Sequence, residues 1–230
     1  MNPASYSTAS SPYVLGVAER NRVLRNTYWL LALSMIPTVL GAWVGLATGI
    51  AAAMSPIVSM VVFLGGAFGF MFAIERTKNS AAGVPVLLAF TFFMGLMLSR
   101  MLGVVLGLGN GASLVMSAFA ATGAVFLGMA TLSSVIKRDL SGLSKFLFIG
   151  AILLLVAGIA NIFLKSSALM LTLSVLSAGI FSAFILVDLK RVRDGEETNY
   201  ISATLSVYLS LYNVFQSLLA LFGLAGGREE

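Results

Sequence analysis

The sequence predicts an all-α, polytopic membrane protein of seven transmembrane helices, with the last helix central to the bundle. Three observations carry that expectation. Apolar residues make up 59% of the 230 residues and charged residues only 10%, against about 45–50% and 25% in soluble domains. So few charges cannot cover a soluble fold of this size. The apolar residues fall into seven stretches, each near the roughly 20 residues needed to cross a hydrocarbon core of about 30 Å. The last stretch carries polar groups on two opposite helical faces, an arrangement that needs neighbours on both sides.

Residues 1–26 hold no apolar segment of the signal-peptide kind, and their basic residues come late, at Arg20, Arg22 and Arg25. They read as a flexible cytoplasmic tail, either a plain leader or a handle for a partner. The spans follow at 27–47, 54–74, 82–100, 112–136, 144–164, 167–188 and 199–223, and residues 224–230 form a short tail on the far side. The spans together make one transmembrane domain, 27–223. Gly41, Gly45, Gly49, Gly65 and Gly69 recur at four-residue steps in the first two spans. Such spacing lets helices approach closely, either within one bundle or at a dimer face. No long internal repeat is visible, and an odd number of spans does not divide into matching halves.

Orientation follows from the basic residues. With the N-terminus in the cytoplasm, the inside segments hold Arg20, Arg22, Arg25, Arg76, Lys78, Lys137, Arg138, Lys145, Lys190, Arg191 and Arg193, and the outside segments only Arg100, Lys165 and Arg228. Eleven against three is a strong positive-inside bias. It predicts a cytoplasmic N-terminus and a C-terminus outside.

In the last span, YISATLSVYLSLY alternates polar and apolar residues from Tyr200 to Tyr212, the pattern of a half-buried strand. A strand of that length would extend about 43 Å, longer than the hydrocarbon core, and its edges would be unpaired in lipid. The stretch must be helical. Every second residue on a helix turns by about 200°, so the polar positions split into two stripes. One is Ser202, Ser206, Ser210, Asn213 and Ser217; the other is Tyr200, Thr204, Tyr208, Tyr212 and Gln216. The stripes serve either as hydrogen-bonding contacts to other helices or, in part, as the border of an ion or proton path.

With no histidine and no cysteine, disulfides, thiolate chemistry and the usual metal ligand are excluded. Any titrating site rests on nine acidic residues. Asp188, at the end of the apolar run SAGIFSAFILV, is the strongest candidate, because an ionisable residue within a span is functional by default. The plainer alternative is an interfacial Asp paired with Lys190 or Arg191. Glu75, Arg76 and Lys78 end the second span, and the Arg76 guanidinium could reach a buried carboxylate. Asp139 reads as a loop cap. DGEETNY reads as a turn at Gly195 with acidic residues placed before a helix N-terminus. No phosphate loop, metal motif or activated nucleophile is present, so an enzyme is not expected.

Beyond composition, DGEETNYISATLSVYLSLYNVFQSLLALFG with the upstream ILVDLKRV resembles the Bax-inhibitor-motif (Bax inhibitor 1-like) membrane family, in its bacterial YccA-type branch. VLRNTYWLLALS, GIANIFL and KRDLSGLSKFLFIG point the same way, and the resemblance runs from about residue 20 through nearly the whole chain. It implies seven helices with the last central, in a bacterial inner membrane. It also implies two roles. In some members a carboxylate ending the sixth helix pairs with one in the seventh, an Arg near the end of the second helix contacts the pair, and the protein is a pH-sensitive calcium leak. Those positions fall here on Asp188, Ser210 and, approximately, Arg76, while Asn213 matches a family Asn. Ser210 is a departure: two adjacent carboxylates can share a proton, and a carboxylate and a serine cannot.

The second implied role is association with a membrane-bound ATP-dependent protease in membrane-protein quality control, here through the N-terminal tail. Because Ser210 breaks the acid pair, this reading ranks first. The leak reading takes Asp188, Arg76, Ser206, Ser210 and Asn213 as its path or gate, with a weak, transient calcium site at Asp188. No other cofactor and no nucleic-acid partner is expected, and the oligomeric state is left open.

Overall fold

The computed structural model describes residues 16–226. The elements are α1 (Val17–Thr48), α2 (Ile50–Ala53), α3 (Pro56–Thr77), α4 (Gly83–Leu106), α5 (Gly111–Val135), α6 (Ser141–Leu164), α7 (Ser167–Asp194) and α8 (Tyr200–Gly226). All but the four-residue α2 are long and apolar enough to cross a membrane, seven in total. No strand occurs among the described residues, so the alternation in α8 is helical.

Local chemistry sets several ends. Ser55 caps α3, its hydroxyl accepting from the Val58 amide at 3.3 Å, with Pro56 in the first helical position. Ser166 caps α7 in the same way, accepting from Leu169 at 3.2 Å. Gly195 closes α7 in the left-handed region at φ 83°, a conformation glycine takes without steric cost.

Three boundaries differ from the sequence expectation. α1 starts at Val17, so residues 17–26 are helix rather than tail; Val23 is buried with Val192 and Ala203. Residues 1–15 of the expected tail, and 227–230 at the other end, lie outside the described residues. α4 runs on to Leu106, which places Arg100 inside the helix, where it donates to the Met54 carbonyl at 2.7 Å. α7 runs on to Asp194, so Asp188 sits within the helix and not at its end.

α8 packs on α7, α5, α1 and α4 and touches α3, whereas α6 packs on α7. The last helix is therefore central, although five helices and not six surround it. α1 and α4 form the closest crossing. A Cβ added at Gly41 would lie 2.0 Å from the Phe92 carbonyl oxygen, and one at Gly95 would lie 1.9 Å from that of Thr38. A Cβ at Gly45 would run into the Ser99 side chain. Gly65 and Gly69 face open space, while their neighbour Gly66 takes the Phe93 ring. Gly41 and Gly45 thus serve packing inside the bundle, where contact distance and hydrogen bonds drive association because lipid is as apolar as leucine, whereas Gly49 meets nothing and ends α1 in the left-handed region.

Candidate functional site

The two polar stripes of α8 meet different surroundings. Thr204, Tyr208 and Tyr212 turn into the core against α1 and α4. The Thr204 hydroxyl donates to the Tyr200 carbonyl at 2.7 Å and approaches the Thr27 carbonyl at 3.4 Å. The Tyr208 hydroxyl lies 2.9 Å from that of Thr38 and 3.4 Å from the Thr91 carbonyl. The Tyr212 hydroxyl approaches the Met94 carbonyl at 3.4 Å. Tyr208 also meets Phe90 edge-on, with ring centroids 6.0 Å apart. These tyrosines bury large rings and satisfy their hydroxyls on neighbouring helices.

The other stripe is divided. Ser210 and Ser217 are buried, and Ser202 has a buried hydroxyl without a hydrogen-bond partner. Asn213 turns back on its own helix, its amide nitrogen donating to the Leu209 carbonyl at 2.8 Å. Ser206 is exposed. The expectation of neighbours on both polar faces of this helix fails at that residue. Ser206 lies off the face that meets α1 and α4, and there the surrounding helices leave α8 uncovered.

Asp188 is partly buried on α7, between the fully packed Val187 and Leu189. Its carboxylate faces the Ser210 hydroxyl across the α7–α8 interface. The position at which the family resemblance places a second acid is therefore the position that meets Asp188. Neither cation expected as its alternative partner forms an ion pair with it. Lys190 Nζ bonds Asp194 at 2.5 Å, and Arg191 Nε stands 3.7 Å from Glu196. Arg76 is exposed at the end of α3, its guanidinium 4.9 Å above the Phe72 ring, and forms no ion pair with Asp188 among the described residues. Of the five sequence candidates, the structure brings Asp188 and Ser210 together and leaves Arg76 apart. One carboxylate and one hydroxyl fall well short of the six to eight oxygens calcium takes, and no group of three acidic side chains forms among the described residues. The set does not fit a resident calcium ion.

Below Asp188, the α7–α8 turn joins the other helix ends on its side. The Arg193 guanidinium donates to the Ser133 carbonyl and, at 2.9 Å, to the Ile136 carbonyl, at the C-terminus of α5. Its Nε bonds Asp194 at 2.7 Å. Asn199 Oδ1 caps α8 by accepting from the Ile201 and Ser202 amides at 2.9 and 3.1 Å. Its Nδ2 donates to Lys78 and Asn79 in the α3–α4 turn. Arg20 of α1 reaches the Asp194 carbonyl at 3.5 Å. The sequence reading counts Arg193 only toward orientation and gives Asn199 no role. The signal for Asn199 was an Asn directly before a helix start; Arg193 was hidden among three basic residues in KRVR.

This constellation sits on a chain whose residues 20–227 match the family described as inhibitor of apoptosis-promoting Bax1. The chain belongs to that family. This Bax1-inhibitor family member is 38% identical over 229 residues to a membrane protein of Vibrio cholerae, with both chains covered completely. It is 40% identical over 212 residues to a Pseudomonas aeruginosa protein, covering 92% of this chain and 93% of that one. It is 37% identical over 205 residues to the Escherichia coli K12 protein named modulator of FtsH protease YccA, covering 89% of this chain and 91% of that one.

Proposed function

We propose that this multi-pass membrane protein resides in a bacterial inner membrane and binds and modulates a membrane-bound ATP-dependent protease, without catalysing a reaction itself. The observation that carries the reading is the extended similarity to the relative named modulator of FtsH protease, over about nine-tenths of both chains. A second strain's relative is named inner membrane protein YccA. The geometry agrees with a binding role: Tyr208 and Tyr212 of α8 are tied to α1 and α4, and Asp188 meets a serine where a proton-sharing acid would be needed. The basic helix ends face the cytoplasm in this reading, which puts residues 1–15 and the α7–α8 turn on the side of a cytoplasmic protease domain.

The test is co-purification of the protease with the full chain and with a chain lacking residues 1–15. The deletion stops there because Val23 packs against Val192 and Ala203, so a longer cut would damage the bundle. Association with the full chain that is lost on deletion supports the proposal with its tail contact. Association with neither chain removes the protease role.

One observation favours a second reading, a cation leak gated near Asp188: this carboxylate has no ion pair among the described residues and borders a helix whose Ser206 is exposed. Calcium flux into liposomes between about pH 6 and pH 8 that exceeds empty vesicles, and that falls in Asp188→Asn, supports it. Flux equal to that of empty vesicles removes it. In Ser210→Asp, two adjacent carboxylates are created, and the pH dependence of any flux should differ from that of the native chain.

A further inference from the structure

We infer that the outward face of α1 at its basic end is a binding site for the phosphate headgroup of an anionic glycerophospholipid, with Arg22 and Arg25 as the charged ligands and Trp29 as the anchor at the hydrocarbon boundary. Arg22, Arg25 and Trp29 are spaced i, i+3 and i+7, so they share one face of the helix. All three are exposed, Trp29 by 73%. The same face continues outward-pointing through Leu33, Ile36 and Leu40, an apolar run suited to acyl chains.

Length fixes the depth. α1 has 32 residues, about 48 Å at 1.5 Å per residue, well over the roughly 30 Å of a hydrocarbon core. From Trp29 to Thr48 the helix has 20 residues, about 30 Å, so this part alone fills the core. Trp29 then lies at the boundary where tryptophan side chains concentrate. Arg25 stands about 6 Å and Arg22 about 10 Å beyond it along the axis, at the level of the phosphates.

Charge and shape complete the site. Neither Arg22 nor Arg25 has a hydrogen bond or ion pair to another side chain among the described residues, although Glu19 lies one turn from Arg22. By contrast, Arg76, Arg100, Arg191 and Arg193 all have partners. Trp29 lines two open hollows. One is lined by Asn21, Leu24, Arg25 and Tyr28, and the other by Asn26, Leu30 and Tyr200. A guanidinium beside an amide side chain suits a phosphate diester by paired donation, and the open hollows admit a headgroup from the bilayer plane.

The experiment uses the full chain in lipid vesicles with Trp43→Phe, which leaves Trp29 as the reporter of the two native tryptophans. Quenching of Trp29 by brominated phosphatidylglycerol is compared with quenching by brominated phosphatidylcholine at equal mole fraction. The expected result is an apparent association preference of about threefold or more for the anionic lipid. The preference should fall to about unity in R22Q/R25Q and persist in R22K/R25K. A Trp29→Phe chain, reporting from Trp43, should show no preference. Equal quenching by the two lipids in the native-arginine chain overturns the site, as does a preference that survives R22Q/R25Q. Loss of the preference on adding soluble glycerol phosphate assigns the arginines to a free phosphate and overturns the lipid site. A native-arginine chain showing lipid preference only after removal of a co-purified protein assigns the face to that protein and likewise overturns it.

Discussion

The Tyr208 hydroxyl of α8 lies 2.9 Å from the Thr38 hydroxyl of α1, at the level where Gly95 of α4 comes against the Thr38 backbone. Three helices meet at that one contact. It is buried on the α8 side, with Tyr208 only 1% exposed.

Tyr208→Phe keeps the ring and removes the hydroxyl, so it should lower stability in detergent by about 0.6–2 kcal/mol. Thr38→Val should cost a similar amount, and the double variant less than the sum, because each single change already breaks the shared bond. Unfolding titrations of the four proteins check this. Additive losses would show that the two hydroxyls do not interact.

Gly95→Leu should prevent correct assembly, because even a Cβ there would lie 1.9 Å from a backbone oxygen. Backbone atoms at a helix crossing cannot step aside as a flexible side chain can. Gly65→Ala and Gly69→Ala, placed against open space, should change the midpoint of thermal unfolding little, or raise it slightly through helix propensity. Yield of monodisperse protein and thermal unfolding together separate the outcomes.

Arg193→Gln should lower stability by about 1–3 kcal/mol, since a charged donor leaves the terminal carbonyls of α5. Arg193→Lys should recover less than half of that loss, because an ammonium cannot span two carbonyls and Asp194 as a planar fork does. Faster hydrogen exchange at the α5 C-terminus, measured in both variants, locates the effect.

Asp139 precedes α6 outside the spans. Its carboxylate accepts from the Ser141 amide at 2.8 Å and from the Ser141 hydroxyl at 2.9 Å. These donors hold its pKa below the ordinary 3.8. A depressed folded-state pKa contributes stability that is present above the unfolded value and lost as pH falls through the folded one. Asp139→Asn should therefore unfold at a slightly lower temperature than the native chain at neutral pH. The difference should close as pH falls below about 4. A gap that stays constant through that window would show that the carboxylate charge contributes nothing.

The class of fold was legible because membrane insertion imposes a local rule: each span must be apolar over its own length and satisfy its own backbone. Seven such segments, their basic links and the helical nature of residues 200–212 need only neighbouring residues to be read. Helix ends were less legible. The sequence could not show that α1 begins at Val17, because residues 17–26 are polar enough to read as tail, and their helix is held by Val23 against α7 and α8. Asp188 was legible as a charge in an apolar run, and Asn199 could have been read as a cap.

By itself, the sequence determined the number of spans, the all-helical class and the polarity of α8, since each of these follows from residue type and a fixed periodicity. Only the tertiary structure decided which polar stripe turns inward, that Asp188 meets Ser210 and not Arg76, and that Arg193 closes α5. Those outcomes depend on how helices distant in the chain cross. That is set by close approach at Gly41 and Gly95 and by the hydroxyls between them, where many residue patterns would satisfy the same local rules.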